Sequence, residues 1–222
     1  RRDFVSNLSH ELRTPVSVIK ANSETLLDGA LDDKKDAKTF SKAILHNANR
    51  LSEMVTSLID LSRIEYGELK FVINDIVLND VVDSVILAFK NKAKRKNINL
   101  KFERSTEISV KADTQAVERI LNNLLDNAFK YSPNDSEVEL RIRKQGEFVK
   151  ISVLDSGEGV PDEDQRSVFK RFYRTSAARA NTQQGSGLGL AIVRNLVNNL
   201  HGEVGVDSRQ GNGSEFWFTL PA

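Results

Sequence analysis

The sequence predicts an α+β fold in which an N-terminal helical hairpin precedes an α/β sandwich. Within residues 1–66, apolar residues recur every three or four positions, the period of a helix that buries one face. From residue 67 onward, short apolar or alternating runs of strand length interleave with helical segments. A chain of 222 residues is long enough for two small domains. We therefore expect a hairpin domain at residues 1–66 and a sheet domain at residues 67–222.

The composition is that of an ordinary globular protein. Apolar residues make up 39% of the chain and the formal net charge is +1, so electrostatics give no reason to expect a nucleic-acid partner. The absence of cysteine excludes disulfides and thiolate metal sites, and no apolar run approaches the ~20 residues of a membrane span. Because the chain opens at "RRDF", inside a helical pattern and without a starting Met, we expect more protein upstream.

The first predicted helix has one apolar and one polar face. At about 100° per residue, its apolar arc contains Phe4, Val5, Leu8, Leu12, Val16, Ile19 and Leu26. His10 lies almost opposite this arc, and Thr14, four residues on, shares its exposed side. Pro15 removes a helical N–H, but the apolar period continues beyond it, so we expect a kink rather than an end.

The second predicted helix follows a turn at residues 28–36 and carries its own apolar stripe. The stripe contains Phe40, Ile44, Ala48, Leu51, Val55, Leu58 and Leu61, with coiled-coil-like spacing. A hairpin this small cannot bury both stripes against itself, so pairing with a second copy would form a four-helix bundle. The alternative is that both stripes pack on the rest of the chain.

The second half alternates between strand and helix patterns. Strands are predicted at residues 69–73, 98–102, 108–112, 137–143, 148–155, 203–208 and 215–220, and helices at about 78–97, 114–131 and 187–200. Two strands follow one another directly within 136–154, which parallel βαβ units would not allow. We therefore expect a mixed sheet covered by helices on one face.

A glycine-rich loop, "GSGLGLAIV", precedes the last predicted helix. Gly185, Gly187 and Gly189 allow backbone N–H groups to approach an anion at a helix N-terminus. A dinucleotide-binding turn or a simple tight connection would carry similar glycines, but the former needs a strand directly before the loop. Instead residues 174–184 precede it and hold no large aliphatic residue, which is typical of a lid over a ligand.

Two further motifs are compatible with a nucleotide. Asp155 ends a strand and is followed by Gly157 and Gly159, which suits recognition of the amino group of a base; a capping Asp after a strand is the alternative. In the helix at 122–132, Asn123 and Asn127 lie one turn apart. Two amide oxygens so placed can hold a hard cation, although a solvated polar face is also possible.

Five motifs together resemble a known family. "SHELRTP", "NNLLDNAFKY", "DSGEGVP", "FKRFYR" and "GSGLGLAIV" occur in the order seen in bacterial sensor histidine kinases of two-component systems. The resemblance covers nearly the whole chain. It implies a dimerisation and histidine-phosphotransfer hairpin (HisKA type), followed by an ATP-binding domain of the GHKL type with the Bergerat α/β sandwich.

For the hairpin, the resemblance implies autophosphorylation at His10. Glu11 is similar to the family's acidic neighbour, which holds the imidazole tautomer and acts as general base. Thr14 completes an H-E-x-x-T pattern that the family links to dephosphorylation of its partner. Arg13 would help to position phosphate or the partner.

For the second domain, the resemblance implies binding of ATP and Mg²⁺. Asp155 would bind the adenine amino group, with Gly157 and Gly159 shaping that pocket. Asn123 and Asn127 would bind Mg²⁺ and phosphate. Residues expected around the phosphates and the base are Lys130, Tyr131, Arg174, Gly185, Gly187, Leu188 and Gly189, with Arg171 a weaker candidate than Arg174 and with Phe169 and Phe172 docking the lid.

The implied partners are a second copy of the chain, bound through the hairpin, and the receiver domain of a response regulator. The implied location is the cytoplasmic part of a sensor anchored through the missing upstream region. Two other functions share the nucleotide fold: an ATP-driven clamp and a non-catalytic dimerisation module. The sequence decides neither the signal nor whether one subunit phosphorylates itself or its twin.

Overall fold

The N-terminal hairpin consists of two long helices. The computed structural model describes residues 2–103, 107–176, 178, 185–208 and 210–222, with side chains from residue 6 onward. Helix α1 spans Arg2–Thr25 and continues through Pro15 as expected, and α2 spans Lys34–Glu65. Between them a π-helical turn, Leu26–Ala30, contains Gly29 at φ 123°. The Asp33 carboxylate caps α2 by accepting hydrogen bonds from two backbone N–H groups.

The second half forms a mixed sheet with helices. Its strands are β1 (Asn74–Val77), β2 (Asn99–Glu103), β3 (Ser109–Ala112), β4 (Glu137–Gln145), β5 (Phe148–Asp155), β6 (Val204–Ser208) and β7 (Ser214–Pro221), and its helices are α3 (Leu78–Lys96), α4 (Thr114–Tyr131), α5 (Asp162–Gln165) and α6 (Gly189–Asn199). Five strands pair in the order β2-β4-β5-β7-β6, with β2 parallel to β4 and the other pairs antiparallel. Alternate residues of β4 and β7 are buried, as in a sheet with one face on the core. The predicted fold class is confirmed.

One predicted strand, at residues 69–73, is wrong. Strand pairing begins only at Asn74, where β1 pairs with β3. The alternation was real, because Leu69 and Phe71 pack against the core. However, the Val72 N–H is bonded to the Asp113 carboxylate at 2.7 Å rather than to a neighbouring strand. The same carboxylate caps α4 by accepting a hydrogen bond from Ala116 N–H. The segment is therefore bonded to the N-terminus of α4 and not to a neighbouring strand.

Helix α2 packs on the sheet domain as well as on α1. Met54, Leu61 and Ile64 are buried and belong to the same apolar core as the sheet domain. Two ion pairs cross the same contact, Asp60 with Arg119 and Glu65 with Arg171. The alternative that the apolar stripe packs on the rest of the chain is therefore correct for the C-terminal part of α2.

Other positions of the hairpin, on both helices, leave apolar side chains uncovered. Val16 is 51% exposed, Val55 47% and Ile59 48%. Leu8 and Leu12, by contrast, are partly buried against the core. Among the described residues, no helix is both long and apolar enough to cross a membrane.

Candidate active site

A cavity of about 870 Å³ lies where α2, α4 and three loops of the sheet domain meet. This volume lies within the range of small-molecule sites. Most of the predicted ligand-binding residues line it: Asn123, Asn127, Lys130, Tyr131, Asp155, Gly157, Gly159, Arg174, Gly185, Gly187 and Gly189. The fold thus brings together four motifs that are far apart in the sequence.

Asp155 forms one end of the cavity, at the C-terminus of β5. Its Oδ1 accepts a hydrogen bond of 2.8 Å from Gly157 N–H. Burial raises the pKa of this carboxyl to about 6, against the opposing effect of backbone hydrogen bonds from Gly157 and Ser214. A Cβ on Gly157 would lie 2.8 Å from Asp155 Oδ1 and 3.1 Å from the Tyr131 carbonyl oxygen, so a side chain there would displace the carboxylate.

Ser208, which the sequence analysis missed, holds the loop after Asp155. The Ser208 hydroxyl accepts from Val160 N–H at 2.7 Å and donates to the Gly213 carbonyl at 2.8 Å. This hydroxyl connects the loop after β5 with the end of β6 and the start of β7. In the sequence it stands only as the last residue of a strand, and nothing marks its contact with Val160.

Of the two asparagines of α4, Asn123 lies beside the first turn of α6. Asn123 Nδ2 donates to the Arg119 carbonyl at 2.8 Å, which leaves its Oδ1 as an acceptor. A Cβ built on Gly189 would lie 2.9 Å from this oxygen. Asn127 also lines the cavity. The amide oxygens are therefore suited to a hard cation that takes its remaining ligands from water and phosphate.

Among the residues that the structure describes, these amides are not supplemented by a carboxylate- or histidine-based metal cluster. In the described part of the chain, no group of three or more His, Cys, Asp and Glu side chains is arranged to hold a metal ion. A cation at Asn123 and Asn127 would take its other oxygen ligands from water or from a bound anion.

Lys130 is one of the cations that line the cavity. Its Nζ donates to Tyr131 Oη at 3.0 Å and lies 4.6 Å from the centre of that ring. Burial, together with the positive charges of Arg174 and Arg50, lowers the Lys130 pKa to about 8. A Cβ on Gly185 would lie 2.1 Å from Nζ, so the ammonium reaches the glycine-rich loop only because residue 185 has no side chain.

The glycine-rich loop is attached to the segment that precedes it. Phe172 N–H donates to the Gly187 carbonyl at 2.9 Å, and Phe169 and Phe172 are both buried. Leu188 is completely buried and does not line the cavity. The predicted lid spans residues 174–184, of which 177 and 179–184 lie outside the described residues.

The hairpin residues predicted to be catalytic are not part of the cavity lining. His10 and Thr14 are exposed, and the Thr14 hydroxyl donates to the His10 carbonyl at 3.3 Å. Glu11 Oε2 lies 3.5 Å from Arg50 Nη2 of α2. The structure therefore brings the predicted ligand-binding residues together but leaves His10 outside them.

One face of α2 forms a wall of the cavity that the sequence analysis did not predict. Its residues recur at helical spacing and are His46, Asn49, Arg50, Glu53 and Ser57. The spacing alone predicted a polar face, which is solvated in most helices. Only the position of the sheet domain against α2 turns that face towards the cavity.

Two family models match the chain. "Histidine kinase-, DNA gyrase B-, and HSP90-like ATPase" matches residues 112–222. "His Kinase A (phospho-acceptor) domain" matches residues 1–67.

Individual relatives agree with these matches. The sensor-like histidine kinase SenX3 of Mycobacterium tuberculosis is 40% identical over 222 residues, which cover all of this chain and 54% of SenX3. The sensor histidine kinase WalK of Bacillus subtilis is 34% identical over 226 residues, which cover all of this chain and 36% of WalK. The chain thus spans about half the length, or less, of these curated relatives.

Solved structures give the same result. The histidine kinase AdeS of Acinetobacter baumannii superposes with a TM-score of 0.76 at 25% identity, covering 96% of this chain and 97% of AdeS. The histidine kinase ThkA, solved in complex with the response regulator protein TrrA, gives a TM-score of 0.81 at 25% identity, covering 99% of this chain and 61% of ThkA. Full-length ShkA, solved with AMPPNP, gives 0.70 at 26% identity, covering 99% of this chain and 45% of ShkA.

Proposed function

The chain belongs to the histidine kinase family, and from this premise we propose that it is an ATP-dependent protein-histidine kinase. It would phosphorylate itself on His10 and pass the phosphoryl group to an aspartate of a response regulator. We assign phosphotransfer to the hairpin, residues 1–66, and nucleotide binding to residues 67–222. The observation that carries the proposal is one cavity that combines a partly buried carboxylate, paired amide oxygens and several cations.

The cavity suits ATP and Mg²⁺ group by group. Ionised Asp155 would accept a hydrogen bond from the adenine amino group, and the glycines beside it leave room for the flat base. The amide oxygens of Asn123 and Asn127 would hold Mg²⁺ against the phosphates. Lys130 and Arg174 would balance the remaining phosphate charge, which fits phosphoryl transfer because its catalysis rests on positioning and cations.

The chemical step would occur at the exposed imidazole of His10. A neutral ring nitrogen attacks the γ-phosphorus in line, the N–P bond forms, and the bond from phosphorus to the β,γ-bridging oxygen breaks to release ADP. Glu11 takes up the proton that the imidazole loses. Thr14 lies one turn on, where its hydroxyl oxygen would orient a water that hydrolyses the phosphorylated regulator.

His10 and the nucleotide must approach each other before this step. Either the sheet domain moves along the hairpin, or the nucleotide reaches His10 of a second copy. The exposed apolar residues Val16, Val55 and Ile59 support pairing of two hairpins into a four-helix bundle. Mixing a His10→Gln protein with an Asn127→Ala protein separates the two routes, because only transfer between subunits restores labelling in the mixed dimer.

The test of the function is labelling with γ-³²P-ATP and Mg²⁺. We expect acid-labile, alkali-stable label on the wild-type protein and none on His10→Gln. His201→Asn is the matched control, because His201 is exposed and Asn tolerates its left-handed backbone at φ 59°. Equal labelling of His10→Gln and wild type contradicts the assignment, and ATP hydrolysis without phosphohistidine favours an ATP-driven clamp instead.

A further inference from the structure

Arg50 connects the hairpin with the cavity. Its Nη2 lies 3.5 Å from Glu11 Oε2, and Glu11 directly follows His10. The same arginine lines the cavity together with Lys130 and Arg174. Only 15% of its side chain is exposed. One guanidinium thus lies between the carboxylate beside His10 and the cations of the proposed phosphate site.

Arg50 shares the cavity with two other cations, Lys130 and Arg174. The positive charges of Arg174 and Arg50 repel the Lys130 ammonium and, together with burial, lower the Lys130 pKa. Neighbouring like charges repel, and a polyanion between them would remove the repulsion. Lys92 pairs with Asp126 at 2.5 Å, and Lys96 donates to main-chain carbonyls. Because Arg50, Lys130 and Arg174 line the same cavity and the charges of both arginines act on Lys130, these three form the cation group suited to an incoming polyphosphate.

The bond between Arg50 and Glu11 is a weak one. Charge-assisted hydrogen bonds are usually about 2.7–2.9 Å long, whereas this one measures 3.5 Å. Arg50 Nε is also buried without a hydrogen-bond partner among the described residues. A guanidinium can form two parallel bonds to phosphate oxygens, so a nucleotide offers Arg50 better partners than Glu11 does.

We propose that Arg50 is a positioning residue that exchanges Glu11 for nucleotide phosphate and thereby couples filling of the cavity to His10. This inference rests on the proposed kinase function. Without nucleotide, Arg50 holds the Glu11 carboxylate away from its role at the imidazole. When phosphate oxygens bind the guanidinium, Glu11 becomes available to orient the His10 ring and accept its proton. The acid–base group is then ready only when the phosphoryl donor is present.

The first arm of the test measures binding by titration calorimetry, with AMPPNP·Mg²⁺ and adenosine as probes. Arg50→Gln should weaken AMPPNP binding about tenfold, the effect of losing a hydrogen bond to a charged group, and leave adenosine binding unchanged. Lys42→Gln removes the same charge from an exposed position on α2 and should bind both probes as wild type does. Arg50→Lys keeps the charge and should recover part of the loss.

The second arm follows the His10 ring resonances by NMR. In the wild type, AMPPNP should shift them as Glu11 is released. In Arg50→Gln, the nucleotide-free protein should already show the shifted position, and AMPPNP should add little. An equal AMPPNP-induced shift in Arg50→Gln and wild type overturns the exchange, and equal loss of AMPPNP and adenosine binding shows a merely structural role.

The two proposals fail in different ways. If the wild-type protein forms phosphohistidine but Arg50→Gln binds AMPPNP as tightly as Lys42→Gln, only the role of Arg50 is refuted. If the wild type forms no phosphohistidine at His10, the proposed function itself is refuted, whatever the binding data show.

Discussion

Replacing Asp155 by Asn should stabilise the nucleotide-free protein and at the same time weaken nucleotide binding. Burial raises the Asp155 pKa from its ordinary 3.8 to about 6, so the folded protein favours the neutral carboxyl. The stabilisation from the neutral form is complete below pH 3.8 and is lost as the pH rises through about 6. Above that pH the ionised carboxylate costs the fold stability, and Asn removes this cost because it carries no charge.

The size of the effect follows from the same pKa. A rise from 3.8 to about 6 corresponds to about 3 kcal/mol at neutral pH, using about 1.36 kcal/mol per pH unit. At pH 4.5 the same relation leaves only about 1 kcal/mol. Loss of one backbone hydrogen bond offsets about 1 kcal/mol at both pH values. This offset cancels in the change between the two pH values, which is about 2 kcal/mol.

Urea unfolding of Asp155→Asn and wild type at pH 7.5 and pH 4.5 measures this change. Asp75→Asn, at an exposed carboxylate of β1, is the control and should show little dependence on pH. Calorimetry with AMPPNP should show a weaker complex for Asp155→Asn at pH 7.5, because the amide cannot replace the charged acceptor for the adenine amino group. If the stability difference is the same at both pH values, burial does not destabilise the Asp155 charge, and the reasoning is refuted.

Three further predictions follow from other parts of the structure. Burial lowers the Lys130 pKa to about 8, and a bound phosphate favours the charged ammonium, so AMPPNP binding at pH 8.5 should be accompanied by proton uptake at Lys130. Calorimetry in buffers of different ionisation enthalpy measures this uptake, and equal uptake by Lys130→Met would show that the proton does not go to Lys130. Thr14→Ala should leave formation of phosphohistidine intact but slow dephosphorylation of the regulator about tenfold or more, with Thr14→Ser restoring it; equal loss of both activities would mean that Thr14 is structural. A double-mutant cycle of Asp60→Asn and Arg119→Gln, followed by urea unfolding, should give a coupling of about 0.5–1 kcal/mol for this partly exposed pair, and additive effects would show that the pair does not hold α2 against the sheet domain.

Most of the fold was predictable because its signals are local. The helix at 114–131 and the strand at 148–155 have the predicted bounds. Both were predicted from the period of apolar residues, which depends only on residues close together in the sequence. The segment at 69–73 failed because the same alternation serves a chain that packs Leu69 and Phe71 without a strand partner. Whether alternating residues become a strand depends on what lies beside them, and here the Asp113 carboxylate takes the Val72 N–H.

The proposed ligand-binding residues, most of which line the cavity, stood out in the sequence for a different reason. Asp155, the two asparagines and the glycines stand in short motifs whose side-chain chemistry is specific. The hydroxyl of Ser208 and the polar face of α2 carry no such local mark. Each acts through a contact with a residue far away in the sequence, such as Val160 for Ser208.

The sequence by itself determined the two-part organisation, the kinds of secondary structure and which side chains are suited to the proposed nucleotide and phosphohistidine chemistry. Only the tertiary structure decided that α2 closes one side of the cavity, that Arg50 lies between Glu11 and the cations of the proposed phosphate site, and that His10 stays outside the cavity. The physical reason is that periodicity and motif chemistry are properties of adjacent residues. The side chains that two packed elements present to each other depend on a docking geometry that no short stretch of the sequence contains.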